Sequence, residues 1–142
     1  MFGCDICQMV CPWNRKITQE SVDPAFKAHP EYLALDLIQE TKLDQAAFSY
    51  KFRGSPIKRA KRRGYLRNIV TVLANYSSQQ VILTLTKLLL EEPEALVRAH
   101  AVWSLAQISD ALAKESLLLA AKHEQDEMVL EEIYQALQEI ND

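Results

Sequence analysis

Aligning Leu66-Arg67 with Val97-Arg98, and again with Val129-Leu130, returns the same apolar text at a period of 31 to 32 residues. Each unit reads as helix, short turn, helix. The helices run from Tyr65 to about Asn75, Gln79 to Leu90, Glu94 to Ile108, Ala111 to about Ala121, and Glu127 to Ile140. Leu66, Ile69, Val70 and Leu73 recur at the spacing of one helical face, which therefore points inward. Ser77 or Ser78, Asp110 and Asp126 stand where N-caps belong, and Pro93 holds an N1-like position. A helix pair with one apolar stripe cannot bury it alone, so this period dictates a stack of about three units whose last member is a single capping helix.

The period, the unit and the capping end describe an all-α, HEAT-like α-solenoid. Composition agrees: 49 % hydrophobic and 25 % charged residues suit one packed core, and three glycines are few for a sheet protein with many tight turns. No apolar run approaches the length of a membrane span, so no membrane partner is expected. Upstream of the repeats the pattern changes at Glu31. Residues 1–30, interrupted by Pro12, Pro24 and Pro30, read as an irregular arm, and residues 31–142 read as the helical domain. Leu33, Leu37 and Ile38 fit the face of a first helix. Thr41, with Asp44 three residues on, resembles a capping box for a second helix ending near Phe52. Arg53-Gly54-Ser55-Pro56 makes a stop and turn, Pro56 or Ile57 opens the next helical turn, and Gly64 is expected to break or bend it.

A net charge of −3 hides strong segregation. Residues 45–90 hold nine Lys or Arg and no acid, a net +9, whereas residues 91–142 hold three basic and twelve acidic residues. Within 51–67, Lys51, Arg53, Lys58, Arg59, Lys61, Arg62, Arg63 and Arg67 place eight cations in seventeen residues. In a continuous helix Arg59, Arg63 and Arg67 would line one face, with Lys58 and Arg62 on an adjacent row. Gathering like charges costs stability, and an anionic partner relieves that cost. A surface-binding membrane helix would oppose its cations with a broad apolar face, but only Ile57, Ala60, Tyr65 and Leu66 lie among these. Nucleic acid is the favoured partner, with Lys58, Arg59, Lys61, Arg62, Arg63, Arg67 and Asn68 as candidate contacts. Phe52 and Tyr65 would either stack on a base or pack inward. The competing structural reading is a bridge to acidic residues of another domain.

All three cysteines lie in Gly3-Cys4-Asp5-Ile6-Cys7-Gln8-Met9-Val10-Cys11-Pro12-Trp13-Asn14. Their C-x2-C-x3-C-P spacing is the later part of the bacterial ferredoxin signature, in which thiolates wrap a 4Fe–4S cube and the Cys before Pro reaches a second one. The first Cys of that signature would fall at Met1, so Cys4, Cys7 and Cys11 form a partial ferredoxin-type motif that cannot close a four-thiolate site. A zinc site using these three with His29, or a Cys4–Cys7 disulfide, are the alternatives.

The cysteine block resembles the second cysteine motif of bacterial epoxyqueuosine reductase. Gly54-Ser55-Pro56-Ile57-Lys58-Arg59 through Arg62-Arg63-Gly64-Tyr65-Leu66-Arg67-Asn68 resembles the segment that follows in that family. The resemblance covers essentially the whole chain but only the C-terminal part of the family's length. It implies a cobalamin-dependent, cytoplasmic enzyme with two 4Fe–4S clusters that converts epoxyqueuosine to queuosine in tRNA. By that resemblance Cys4 and Cys7 would serve one cluster and Cys11 the other, with the remaining ligands and the cobalamin-binding catalytic domain upstream. The partner it implies is the tRNA anticodon stem-loop. No catalytic residue and no activity are expected of this piece alone. An electron-transfer or corrinoid reductase subunit acting on a small molecule, or a non-enzymatic adaptor with vestigial cysteines, are the competing readings. On the repeats, Trp103 reads as core or interface packing, and His100 and His123 as ordinary surface or satisfied histidines.

Overall fold

The computed structural model describes residues 5–16 and 34–140. Two compact units divide the chain, Met1–Asp36 and Leu37–Asp142. In the first, one helical turn, α1 (Ile6–Met9), follows Asp5, whose φ of 50° is left-handed, and a 3-10 turn covers Asn14–Lys16. The Asn14 side-chain amide donates to the Gln8 carbonyl at 3.2 Å, folding this turn back on α1.

The second unit holds α2 (Leu37–Glu40), α3 (Gln45–Lys51), a 3-10 turn (Pro56–Ala60), α4 (Lys61–Leu73), α5 (Gln79–Glu91), α6 (Ala95–Ile108), α7 (Ala111–Ala120) and α8 (Glu127–Glu139). The described residues contain no strand, as the all-α reading requires. α4, α6 and α8 lie side by side, α5 packs on α6 and α7, and α7 also meets α6 and α8. This is the two-layer stack that the period demands, and α6 sits at its centre. Val97, Ala101, Val102 and Leu105 of α6 are wholly buried, as is Ser104, whose hydroxyl donates to the Val70 carbonyl of α4 at 3.0 Å. A helix covered on several sides cannot be amphipathic, and the sequence from Ala95 to Ile108 is accordingly apolar nearly all round.

The expected inward face of α4 is correct: Leu66, Ile69, Val70 and Leu73 are buried. Caps also fall where composition placed them. Ser78 accepts from the Val81 amide, Asp110 from Leu112, and Asp126 from Met128 and Val129. Pro93 differs, because Glu94 is the N-cap of α6 and the proline therefore precedes the cap. Asp44, not Thr41, caps α3, accepting from Ala47 at 2.7 Å, while the Thr41 hydroxyl closes α2 on the Ile38 carbonyl. The first helix is shorter than its apolar spacing suggested: residues 34–36 are not helical, and residues 31–33 lie outside the described part. Gly64 does not interrupt α4 at all. It is buried in mid-helix, and the discontinuity falls instead at Lys61, with φ of 57°.

Phe48, Phe52 and Tyr65 close this end of the core, with ring centroids 4.9 to 5.6 Å apart. Phe52 and Tyr65 are fully buried, so of their two readings the inward one holds. The Tyr65 hydroxyl donates to Glu40 Oε2 at 2.6 Å, and Lys51 pairs with the other oxygen of the same carboxylate. A buried phenol thus finds the partner it requires. No helix among the described residues is long and apolar enough to cross a membrane.

Candidate nucleic-acid interface and cysteine segment

The basic segment begins at a turn that only a few residue types can make. Gly54 takes φ of 76°, a left-handed conformation that costs glycine nothing. Ser55 then accepts from the Ile57 amide, and Pro56 occupies the first position of the 3-10 turn. Lys58 and Arg59 sit on that turn and are exposed. Because Lys61 departs from helical backbone, Arg59, Arg63 and Arg67 do not run down one uninterrupted helix. Only Arg63 and Arg67 keep the i, i+4 relation.

Arg62 leaves the set expected to face a ligand. Its Nη1 and Nη2 donate to Glu92 Oε1 and Oε2 at 2.7 and 2.8 Å, and its Nε donates to the Leu43 carbonyl at 2.7 Å. The two side chains are 16 % and 4 % exposed, and the Glu92 hydrogen bond pushes the guanidinium further above its ordinary range. A planar fork that meets a carboxylate in parallel holds α4 to the end of α5. Arg98 repeats the device one unit on. It donates to both oxygens of Glu124 at 2.8 and 2.9 Å, and also to the Glu92 and Pro93 carbonyls. Here the hydrogen bond from Arg98 holds the Glu124 carboxyl below the usual carboxylate range. Glu92 and Glu124 each follow the end of a second helix, but their partners lie 30 and 26 residues upstream, beyond any local pattern.

Arg53, Lys58, Arg59, Lys61 and Arg63 are exposed, and none of their side chains has a hydrogen bond or ion pair among the described residues. Arg67 is half-buried and donates to Asn68 Oδ1 at 2.7 and 3.1 Å, which fixes its guanidinium against the helix. The charges also stand at the wrong end of their helix. α4 starts with Lys61, Arg62 and Arg63, has no acid in its first turn and no side-chain cap at Ala60. With Arg62 already paired to Glu92, the positive end of the dipole and the exposed Lys61 and Arg63 repel one another, and an anion placed there satisfies both.

In the first unit Cys7 is exposed on α1 and Cys11, just after it, is half-buried; both are free thiols. Cys4 and His29 lie outside the described residues, so the zinc alternative stays where the sequence left it, whereas the free Cys7 thiol does not fit a Cys4–Cys7 disulfide. Among the described residues no group of three His, Cys, Asp or Glu gathers at metal-holding distance. Two free thiols spaced C-x3-C fit thiolate ligation in type, while the number needed for a cube exceeds the cysteines of this chain.

A family model for HEAT repeats matches residues 59–138, and the chain belongs to that family. Its relatives narrow the assignment to a C-terminal part of the epoxyqueuosine reductases. The chain is 38 % identical over 107 residues to an epoxyqueuosine reductase of Xanthomonas campestris, an alignment spanning 75 % of this chain and 30 % of that protein. One from Listeria monocytogenes is 29 % identical over 136 residues, spanning 94 % of this chain and 35 % of that protein. The crystal structure of an epoxyqueuosine reductase with an epoxyqueuosine-modified tRNA-Tyr stem loop superposes with a TM-score of 0.87 at 26 % identity, covering 99 % of this chain and 37 % of that one. The Bacillus subtilis enzyme gives a TM-score of 0.85 at 28 % identity, over 97 % of this chain and 37 % of that one. The chain therefore spans about a third of the length of the relatives it matches.

Proposed function

We propose that this chain is the tRNA-holding platform, and part of the cluster-ligand set, of an enzyme that converts epoxyqueuosine to queuosine in tRNA. The observation that carries the reading is the run of exposed cations at Arg53, Lys58, Arg59, Lys61 and Arg63 whose side chains have no partner among the described residues. A protein gains nothing from such a run unless a polyanion meets it. The relative solved with a tRNA stem loop supports RNA as that polyanion. Arg67, oriented by Asn68, completes the patch. Arg62 is assigned to holding α4 in place, so that its neighbours present a fixed spacing of charge. Contacts of this kind position a nucleic acid without reading its bases.

Cys4 and Cys7 are assigned to one 4Fe–4S cluster and Cys11 to a second, each completed by thiolates from the part of the protein that precedes this segment. Bound there, the clusters would supply electrons and cobalamin in that same preceding part would supply the two-electron, two-proton reduction of the epoxide to an alkene, the oxygen leaving as water. The residues of this chain hold ligands and RNA and take no proton in that reaction. The reading places the protein in the cytoplasm, where tRNA is modified.

The test is binding of a tRNA anticodon stem-loop to the chain and to a Lys58→Glu, Arg59→Glu, Arg63→Glu variant. All three positions are exposed, so folding is expected to survive. A loss of affinity of about 100-fold or more supports the platform, and unchanged affinity rejects it. Anaerobic reconstitution of the chain extended upstream tests the cysteines. Iron bound in proportion to restored thiolates supports the cluster assignment, and no iron uptake identifies an adaptor with vestigial cysteines.

A further inference from the structure

On α4, Arg63 and Arg67 continue at the same spacing to Thr71, whose hydroxyl donates to the Arg67 carbonyl at 3.0 Å. Thr71 forms one wall of a cleft of about 480 Å³, whose remaining lining comes from α6 (Leu96, Ala99, His100, Trp103) and α8 (Met128, Glu132). Trp103 was expected to pack in the core or at an interface. It is 40 % exposed at this cleft, and Met128 is 48 % exposed beside it. An exposed indole on a central helix that is otherwise mostly buried, with an exposed thioether facing the same cleft from α8, marks a surface made for contact.

We propose that this cleft receives one unpaired base of the RNA held by the cations of α4, with Trp103 as the stacking surface. The proposal rests on the RNA reading above and adds a subsite to it. Three features select a base over other occupants. The stripe from Arg63 through Arg67 leads a phosphate backbone along α4 toward Thr71, so the cleft lies where the next nucleotide would reach. Its volume suits a single heterocycle with its sugar rather than a protein segment. Glu132 in the wall repels phosphate but accepts from an exocyclic amino group, as carried by adenine, cytosine or guanine and not by uracil. His100 Nδ1 lies 2.9 Å from the Leu96 carbonyl, which only a protonated Nδ1 can approach as donor; in the neutral ring Nε2 is then an acceptor, a second partner for such an amino group.

The test compares Trp103→Ala and Trp103→Phe with the parent chain on two RNAs, a stem-loop and a blunt duplex of the same stem. Expected is a loss of about ten-fold for Trp103→Ala on the stem-loop, since base stacking on an aromatic contributes that much or more. Little change is expected on the duplex, the salt dependence of binding stays the same, and Trp103→Phe retains most of the affinity. In a Trp13→Phe background the stem-loop quenches the remaining indole fluorescence and the duplex does not. Equal affinities of parent and Trp103→Ala for the stem-loop overturn the base subsite. If the Lys58, Arg59, Arg63 variant still loses binding, the platform stands without it, and if that variant also binds normally both readings fall. An equal loss on both RNAs, with a lowered melting temperature, assigns Trp103 to structure and likewise overturns the subsite.

Discussion

Arg62 and Arg63 are neighbours in the chain and have opposite roles. Arg62 turns toward the end of α5 and is locked by the carboxylate of Glu92, whereas Arg63 stands in solvent with no partner among the described residues. The same contrast runs through the whole domain. On one edge the pairs Arg62–Glu92 and Arg98–Glu124 each tie the first helix of a unit to the end of its second through charge that is almost fully enclosed. At Arg53, Arg59 and Arg63 the same side chain has no acid partner among the described residues. What decides the role of an arginine here is not its local sequence but whether a carboxylate 26 to 30 residues away arrives beside it.

The largest expected effect breaks that contrast directly. Glu92→Ala strands an enclosed guanidinium and is expected to cost about 3 kcal/mol in denaturant unfolding, because removing one partner of a buried pair leaves an uncompensated charge. Arg63→Ala is expected to stay within about 0.5 kcal/mol. Equal costs would mean that the two arginines are not in different environments.

Acid sharpens the comparison next. The Glu124 carboxyl titrates below its ordinary value of 4.5 because Arg98 donates to it. A folded-state value lower than the unfolded one contributes stability that is complete above the unfolded range and lost as pH falls through the folded value. Unfolding free energy measured from pH 6 downward is therefore expected to decline on the acid side. Glu124→Gln is expected to flatten that decline, while Lys58→Gln leaves its shape unchanged.

Smaller effects come from helix starts. Asp126→Ala removes the acceptor of two amides and is expected to lower stability by about 1 kcal/mol. Gly64→Ala, one residue beyond the contrasted pair, has the opposite sign. A Cβ there meets Ala60 Cβ at 3.5 Å, an ordinary contact, so about 0.5 to 1 kcal/mol of stabilisation is expected with RNA binding intact.

Where the sequence was legible, the reason is local. The apolar row Leu66, Ile69, Val70, Leu73 and the caps Ser78, Asp110 and Asp126 depend on spacing within one or two turns, and all are found as read. The misreadings have non-local or backbone causes. Nothing near Arg62 announces Glu92. Gly64 was read as a breaker, yet helical packing tolerates it, and the left-handed residue is Lys61 instead. Tyr65 was left between stacking on RNA and packing inward; Glu40, 25 residues earlier, settles it by accepting its hydroxyl. Trp103 was read as core or interface packing; at 40 % exposure on the cleft lined by α4, α6 and α8 it is not core. The basic run was visible from charge segregation alone, although which of its members are free was not.

The most direct test of the account is the salt dependence of stem-loop binding. For the parent chain, log affinity against log salt is expected to fall with a slope of roughly −3 to −4. For the Lys58→Glu, Arg59→Glu, Arg63→Glu variant the slope is expected to shrink by about one per lost phosphate contact. Identical slopes and affinities for the two proteins would contradict the assignment of these cations to RNA.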